Sequence, residues 1–165
     1  MKNSILFLAF LLLSSVGLSA QKEYKATHEG WLVNIDDAYA LSKKTGKPIL
    51  ANFTGSDWCG WCKRLSAAVF NKPDFKSWAE DNVVLLELDF PRRKQIPDEI
   101  RQQNQSLQRA FQVRGYPTVW VFNLDKDESK GGFVIEALGK TGYTATLEEF
   151  TSGVDQMISR GGKGK

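Results

Sequence analysis

Two cysteines, Cys59 and Cys62, are the only ones in the chain, and they stand two residues apart between an apolar run and a helical pattern. The run is Ile49 to Phe53. Gly55, Ser56 and Asp57 then supply a turn, and the pattern that leaves Gly60 is helical. Strand, loop and a cysteine at a helix start suit thiol chemistry. First-turn N–H groups have no intrahelical partner and favour negative charge, so a thiolate at Cys59 is stabilised and its pKa is expected below that of a free thiol. Cys62 lies at i+3 on the same helix face. From there it can attack a mixed disulfide on Cys59 and close an internal bridge.

Two blander uses of the pair are weighed against this one. As a structural staple it is poor, because closing so short a loop removes little unfolded-state entropy. As part of a structural zinc site it is short of ligands, since four are normally needed and the one histidine, His28, is far upstream. Cys-x-x-Cys beside a strand–helix pattern is a redox signal.

The chain has 165 residues, enough for one domain with a real core. Residues 1–20 read as an export signal. Lys2 is followed by the apolar run Ile5 to Leu13, then by Ser14, Ser15, Gly17, Ser19 and Ala20 as small residues near a cut at 19 or 20. The run is shorter than the ~20 residues of a membrane-spanning helix, so no stable membrane anchor is expected and the protein should be periplasmic or secreted. Export also permits disulfides as staples, but with two adjacent cysteines the fold must hold by packing. Removing Lys2 from the 22 basic residues leaves 21 against 19 acidic ones, too balanced to imply nucleic acid as a partner. Arg92-Arg93-Lys94 reads as a solvated loop.

Residues 21–30 are expected to be a flexible lead-in, 31–160 the folded domain and 161–165 a disordered basic tail. Trp31 to Ile35 is expected as a short edge strand, and Asp36 as the N-cap of a helix through Thr45 with Ala38 and Leu41 inward. Gly46 should stop that helix. The near absence of polar alternation in Ile49–Phe53 predicts a central strand, with Asn52 its one polar member. Cys62, Leu65 and Val69 form a helical stripe until Asn71-Lys72-Pro73 kinks or restarts the helix, whose continuation carries Phe75, Trp78 and Ala79. A second buried strand follows at Val83–Leu88. A polar helix comes next, about Asp98 to Gln112, with Ile100, Leu107 and Phe111 as its apolar side. Val119–Phe122 and Phe133–Leu138 read as a hairpin around a charged loop, Asn123 to Gly132. Gly139 to Gly142 reads as a turn. Thr146 and Glu149 form a capping box for a last helix with Leu147, Phe150, Val154 and Ile158 inward. This order predicts an α/β fold, a central mixed sheet of four or five strands flanked by helices on both faces.

Trp58-Cys59-Gly60-Trp61-Cys62-Lys63, Val113-Arg114-Gly115-Tyr116-Pro117-Thr118, and Gly139 before a terminal amphipathic helix together resemble the thioredoxin superfamily, from about Trp31 to Ser159. Phe53 to Trp58 is closer to its exported bacterial members. The resemblance implies a thioredoxin fold, with Cys59 as exposed nucleophile and Cys62 as buried resolving thiol. It also implies a cis peptide between Tyr116 and Pro117, where a substrate strand could pair with Tyr116. Trp58, Gly60, Trp61, Lys63, Asn52 and Asp57 are the expected supports of the site. The implied activity is thiol–disulfide exchange on protein disulfides through a Cys59/Cys62 cycle, in the reducing direction, with an unidentified thiol protein as electron donor. No cofactor or metal is implied, and a monomer is expected. Alternatives are an isomerase or oxidant of the same fold, or a non-enzymatic peptide-binding or metal-handling module.

Three departures from the family pattern matter. Trp61 stands where proline is usual. Asn52 takes the place of the buried acid below Cys62, so proton removal there would fall to water, Lys63 or Asp57. Residues 90–112 form a longer edge. Trp58 and Trp61 could make an apolar collar around the cysteines, while Trp31, Trp78 and Trp120 read as packing.

Overall fold

Among the described residues the first helix is α1, Ile35–Thr45. A computed structural model describes residues 24–161 apart from 128 and 130. The expected export signal, residues 1–20, lies outside the described residues, as do 162–165 of the expected tail. The other tail residue, Gly161, is the last residue of a helix.

The cap of α1 is Asn34, not Asp36: its Oδ1 accepts from the backbone N–H of Asp36 at 2.7 Å and of Asp37. Asp36 and Asp37 instead occupy the first turn, where their charge favours the exposed N–H groups. One position shifts the inward face as well. Ile35, Ala38 and Ser42 are buried, whereas Leu41 is exposed. Gly46 ends the helix at φ 72°, a left-handed position suited to glycine.

Strand β1, Ile49–Thr54, is buried at every position. It runs parallel to β2, Val84–Asp89, and antiparallel to β3, Thr118–Asp127, which pairs with β4, Gly132–Thr141. The four-stranded order is β2-β1-β3-β4. The expected fifth strand at Trp31–Ile35 reduces to one parallel bridge, Leu32 to Leu86, because α1 already begins at Ile35. The final hairpin is longer than expected. Its strands run on to Asp127 and from Gly132, so most of the charged stretch is ladder. Gly139–Thr141 is also strand rather than turn, beyond a register shift at Val121/Phe122.

Helices cover both faces. α1 and α4, Asp98–Ala110, pack Ile35, Ala38, Leu107 and the adjoining Phe111 against Ala51, Phe53 and Leu86. On the other face lie α2, Gly60–Leu65, α3, Pro73–Asn82, and α5, Leu147–Gly161. There Leu65, Phe75, Phe150 and Val154 pack on Leu50, Val119 and Val121. Between α2 and α3, Ser66–Phe70 forms a π-helical turn that the sequence did not signal, and Pro73 then opens α3 as a first-turn residue. Thr146 Oγ1 accepts from Glu149 N, and the Glu149 carboxylate reaches the N–H of Ala145 instead of closing the expected box on Thr146.

Candidate active site

Cys59 stands where β1 has ended and α2 begins, and it is the N-cap of that helix: its Sγ accepts the backbone N–H of Cys62 at 3.2 Å. The two cysteines are joined in a disulfide with Cα atoms 5.3 Å apart. The donor that caps the oxidised sulfur is one that would hold a thiolate after reduction. The expected contrast between an exposed nucleophile and a buried partner is absent in this oxidised form. Cys59 is 6% exposed and Cys62 4%, because the bridge keeps the leading sulfur over the first turn of its own helix.

The supporting residues divide into those that shape the surface and those that brace the loop. Trp61 is 53% exposed. Its ring lies 5.0 Å from that of Tyr143, with the Arg64 guanidinium 4.5 Å above it. Trp58 is partly covered; its indole N–H donates to Phe90 O at 2.8 Å and its ring meets the edge of Tyr116. Arg92 stacks on it at 3.8 Å. Gly60 has open space where a Cβ would be, so its role is not to make room. The Tyr116–Pro117 peptide is cis. The Tyr116 hydroxyl is hydrogen-bonded by Gln108 at 2.6 Å, and its ring packs on Phe90. Burial raises that hydroxyl above the usual phenol range, against the opposing effect of Gln108.

Asp57 is placed away from the role of base. Its carboxylate accepts the N–H groups of Arg92, Arg93 and Lys94, pinning the loop after β2. Partial desolvation would raise its pKa, but these donors outweigh it and hold the carboxyl below its ordinary value. Lys63 reaches the carbonyl of Asp57 at 3.2 Å and lines a pocket with Cys62. Asn52 is 2% exposed and its Oδ1 has no donor among the described residues.

The structure adds residues that sequence reasoning missed. Glu87, register partner of Asn52, is 1% exposed. Its carboxylate accepts from Thr27 N at 2.8 Å and meets His28 Nδ1 at 3.1 Å. The segment expected as a loose lead-in is therefore tied to the sheet at Thr27 and His28. A pocket of about 320 Å³ is lined by His28, Glu87, Cys62 and Lys63. A lone acid inside the otherwise apolar strand Val84–Leu88 was the available signal, the same kind that drew notice to Asn52.

Comparison with known proteins decides the family. Residues 35–151 match the thioredoxin-like domain model. The chain belongs to that family. It is 40% identical over 113 residues to the disulfide bond reductase DsbH of Chlamydia pneumoniae, covering 68% of this chain and 67% of that one. It is 27% identical to the thioredoxin-related protein DsbJ of the same organism, over 75% of this chain but 36% of DsbJ, so the chain spans about a third of that relative's length. Among solved structures, a DsbH oxidoreductase superposes with TM-score 0.67 at 28% identity, covering 87% of this chain and 94% of that one. A thioredoxin from Thermus thermophilus gives 0.56 at 21% identity, covering 77% and 85%, and speaks to the fold. With the bridged pair at the helix start, these relatives make this thioredoxin-like chain a thiol–disulfide oxidoreductase. Among the described residues no helix is long and apolar enough to cross a membrane.

Proposed function

We propose that this thioredoxin-like protein is an exported reductase of protein disulfides. The observation that carries it is the capped pair: Cys59 Sγ bridged to Cys62 while accepting that residue's N–H at the start of α2. Reduced, the Cys59 thiolate attacks a substrate disulfide and expels one thiolate. Cys62, as thiolate, then displaces the other, leaving reduced substrate and the Cys59–Cys62 bridge. An extended substrate segment lies beside Tyr116 and Pro117, with Trp61 and Tyr143 as the exposed aromatic surface it meets. The protein works as a monomer outside the cytoplasm, behind a signal cleaved near residue 19 or 20. A thiol protein returns the electrons, and nucleic acid is no partner. The name of the DsbH relative supports the reducing direction.

The test is insulin reduction, followed by turbidity, with wild type and Cys59→Ser, together with the reduction potential in glutathione buffer. Wild type should be active, the variant inactive and the potential low. A potential near about −120 mV, that of a strong oxidant, would reverse the direction. Equal activity in both proteins would remove the cysteines from the function.

A further inference from the structure

The exchange cycle leaves one proton without an owner. Cys62 cannot attack as a thiol, and in this oxidised form it is 4% exposed. The two side chains that the sequence offered do not meet the need. Asp57 is spent on the Arg92–Lys94 loop, and Lys63, when charged, has donors but no acceptor. Asn52, buried in β1, is an amide and takes no proton.

One strand over, in register with Asn52, is Glu87. Paired positions of neighbouring strands face the same side of a sheet. Glu87, Thr54 and Cys62 accordingly line one pocket, with His28 on its wall. A pocket of about 320 Å³ with polar walls has room for water. Among the described residues each carboxylate oxygen of Glu87 has one donor, Thr27 N on Oε1 and His28 Nδ1 on Oε2, and a carboxylate oxygen can accept more than one hydrogen bond. His28 itself packs against both Trp31 and Phe70, with ring centroids 5.7 Å from each. A buried carboxylate and an imidazole thus share a pocket with the cysteine that must be deprotonated.

We infer that Glu87, assisted by His28, is the proton acceptor for Cys62 during resolution of the mixed disulfide. This rests on the reductase assignment. In the step, the Cys62 S–H proton passes through pocket water to the Glu87 carboxylate. The Cys62 thiolate bonds to Cys59 Sγ, the bond from Cys59 to the substrate sulfur breaks, and the substrate leaves as thiolate. Two electrons have moved from the enzyme dithiol to the substrate. The Nδ1–H of His28 holds and orients the Glu87 carboxylate for this step. Among the described residues the other ionisable groups near Glu87 are Lys63 across the pocket, Asp89 along β2 with its Lys94 partner, and Tyr24, whose hydroxyl burial pushes above its ordinary range.

The test separates the two sulfurs. Fully reduced enzyme is mixed with an aromatic disulfide that releases one coloured thiolate when Cys59 attacks and a second when Cys62 does. In Glu87→Gln the first release should keep its wild-type rate. The second should slow by about tenfold or more near neutral pH, with the deficit closing above about pH 9, where an ordinary thiol ionises unaided. Glu87→Asp should restore part of the rate. Because Glu87→Gln alters a buried group, His28→Gln is measured beside it and should slow only the second release. An unchanged second release in a folded variant, equal slowing of both releases, or a deficit that does not vary with pH would overturn the inference. If wild type shows no fast first release, it is the reductase assignment that fails.

Discussion

The indole of Trp58 lies against the backbone of Gly55 so closely that a Cβ on that glycine would sit 2.5 Å from the ring. This packing sets the wall of the active site, since the same ring reaches Phe90 O, the edge of Tyr116 and the guanidinium of Arg92. Gly55→Ala should therefore displace Trp58, costing about 1–3 kcal/mol of stability and lowering kcat/KM for insulin. Gly60→Ala, which enters open space, should leave the urea midpoint nearly unchanged. Equal midpoints for the two variants would contradict this account of Gly55.

The capped geometry at Cys59 predicts an order of reactivity. Once the bridge is reduced, iodoacetamide near neutral pH should modify Cys59 first, with Cys62 lagging. Cys62→Ser should accumulate mixed disulfides visible on non-reducing gels, and Cys59→Ser should not. Mass spectrometry of the alkylated peptides reads the first outcome directly. Preferential labelling of Cys62 would exchange the roles assigned to the two sulfurs.

Local chemistry made much of the fold legible. The apolar run, interrupted by Asn52 alone, announced β1, glycine at a left-handed position ended α1, and Pro73 restarted a helix where it costs no hydrogen bond. The features that escaped depend on distant partners. Asn34 and Asp36 are both able to cap, and geometry chose Asn34; the N–H of Ile35 is taken by Gln103, 68 residues away. The Trp31–Ile35 strand shrank to a bridge because the helix claimed its end. His28 looked remote from the cysteines, yet Glu87 holds it 59 residues away in sequence, beside the pocket of Cys62. The cysteines were legible because their spacing is itself the chemistry. Their proton partner was not, because strand register had to place it.

Asp57 gives a pH prediction with a definite sign. Its folded carboxyl is held below the ordinary range by the N–H groups of Arg92, Arg93 and Lys94, which outweigh desolvation. A depressed carboxyl adds stability that is present above its unfolded pKa, about 4, and lost as pH falls through the folded value. Asp57→Asn should remove this part of the acid dependence, so wild type and variant should differ at neutral pH and converge in acid. Urea titrations across that range check it. A gap that widened on acidification would mean that the loop contacts act in another way.

Asn52 tests how much charge this face of the sheet accepts. Asn52→Asp would place a second carboxylate in register with Glu87, at a buried position of the sheet. Like charges and burial both raise a carboxyl's pKa, so the folded variant should hold a proton that the unfolded chain releases. Its stability relative to wild type should therefore fall as pH rises from about 5 to about 8. Denaturant midpoints that tracked wild type across this interval would show that the two side chains do not share a field.

Trp61 separates substrate recognition from chemistry. The residue is 53% exposed and its ring contacts Tyr143 and Arg64, so removing it costs little packing while stripping an aromatic surface from beside Cys59. Trp61→Ala should raise KM for insulin severalfold, roughly the 1 kcal/mol or more expected for losing an aromatic contact. The rate of the first release from a small aromatic disulfide should stay within about twofold, since the N–H that caps Cys59 belongs to Cys62 and is untouched. The two assays share one nucleophile and differ only in the size of what it must meet. If both fell together, Trp61 would belong to the thiol's own environment, and the substrate surface would have to be sought at Tyr116 and Tyr143 alone.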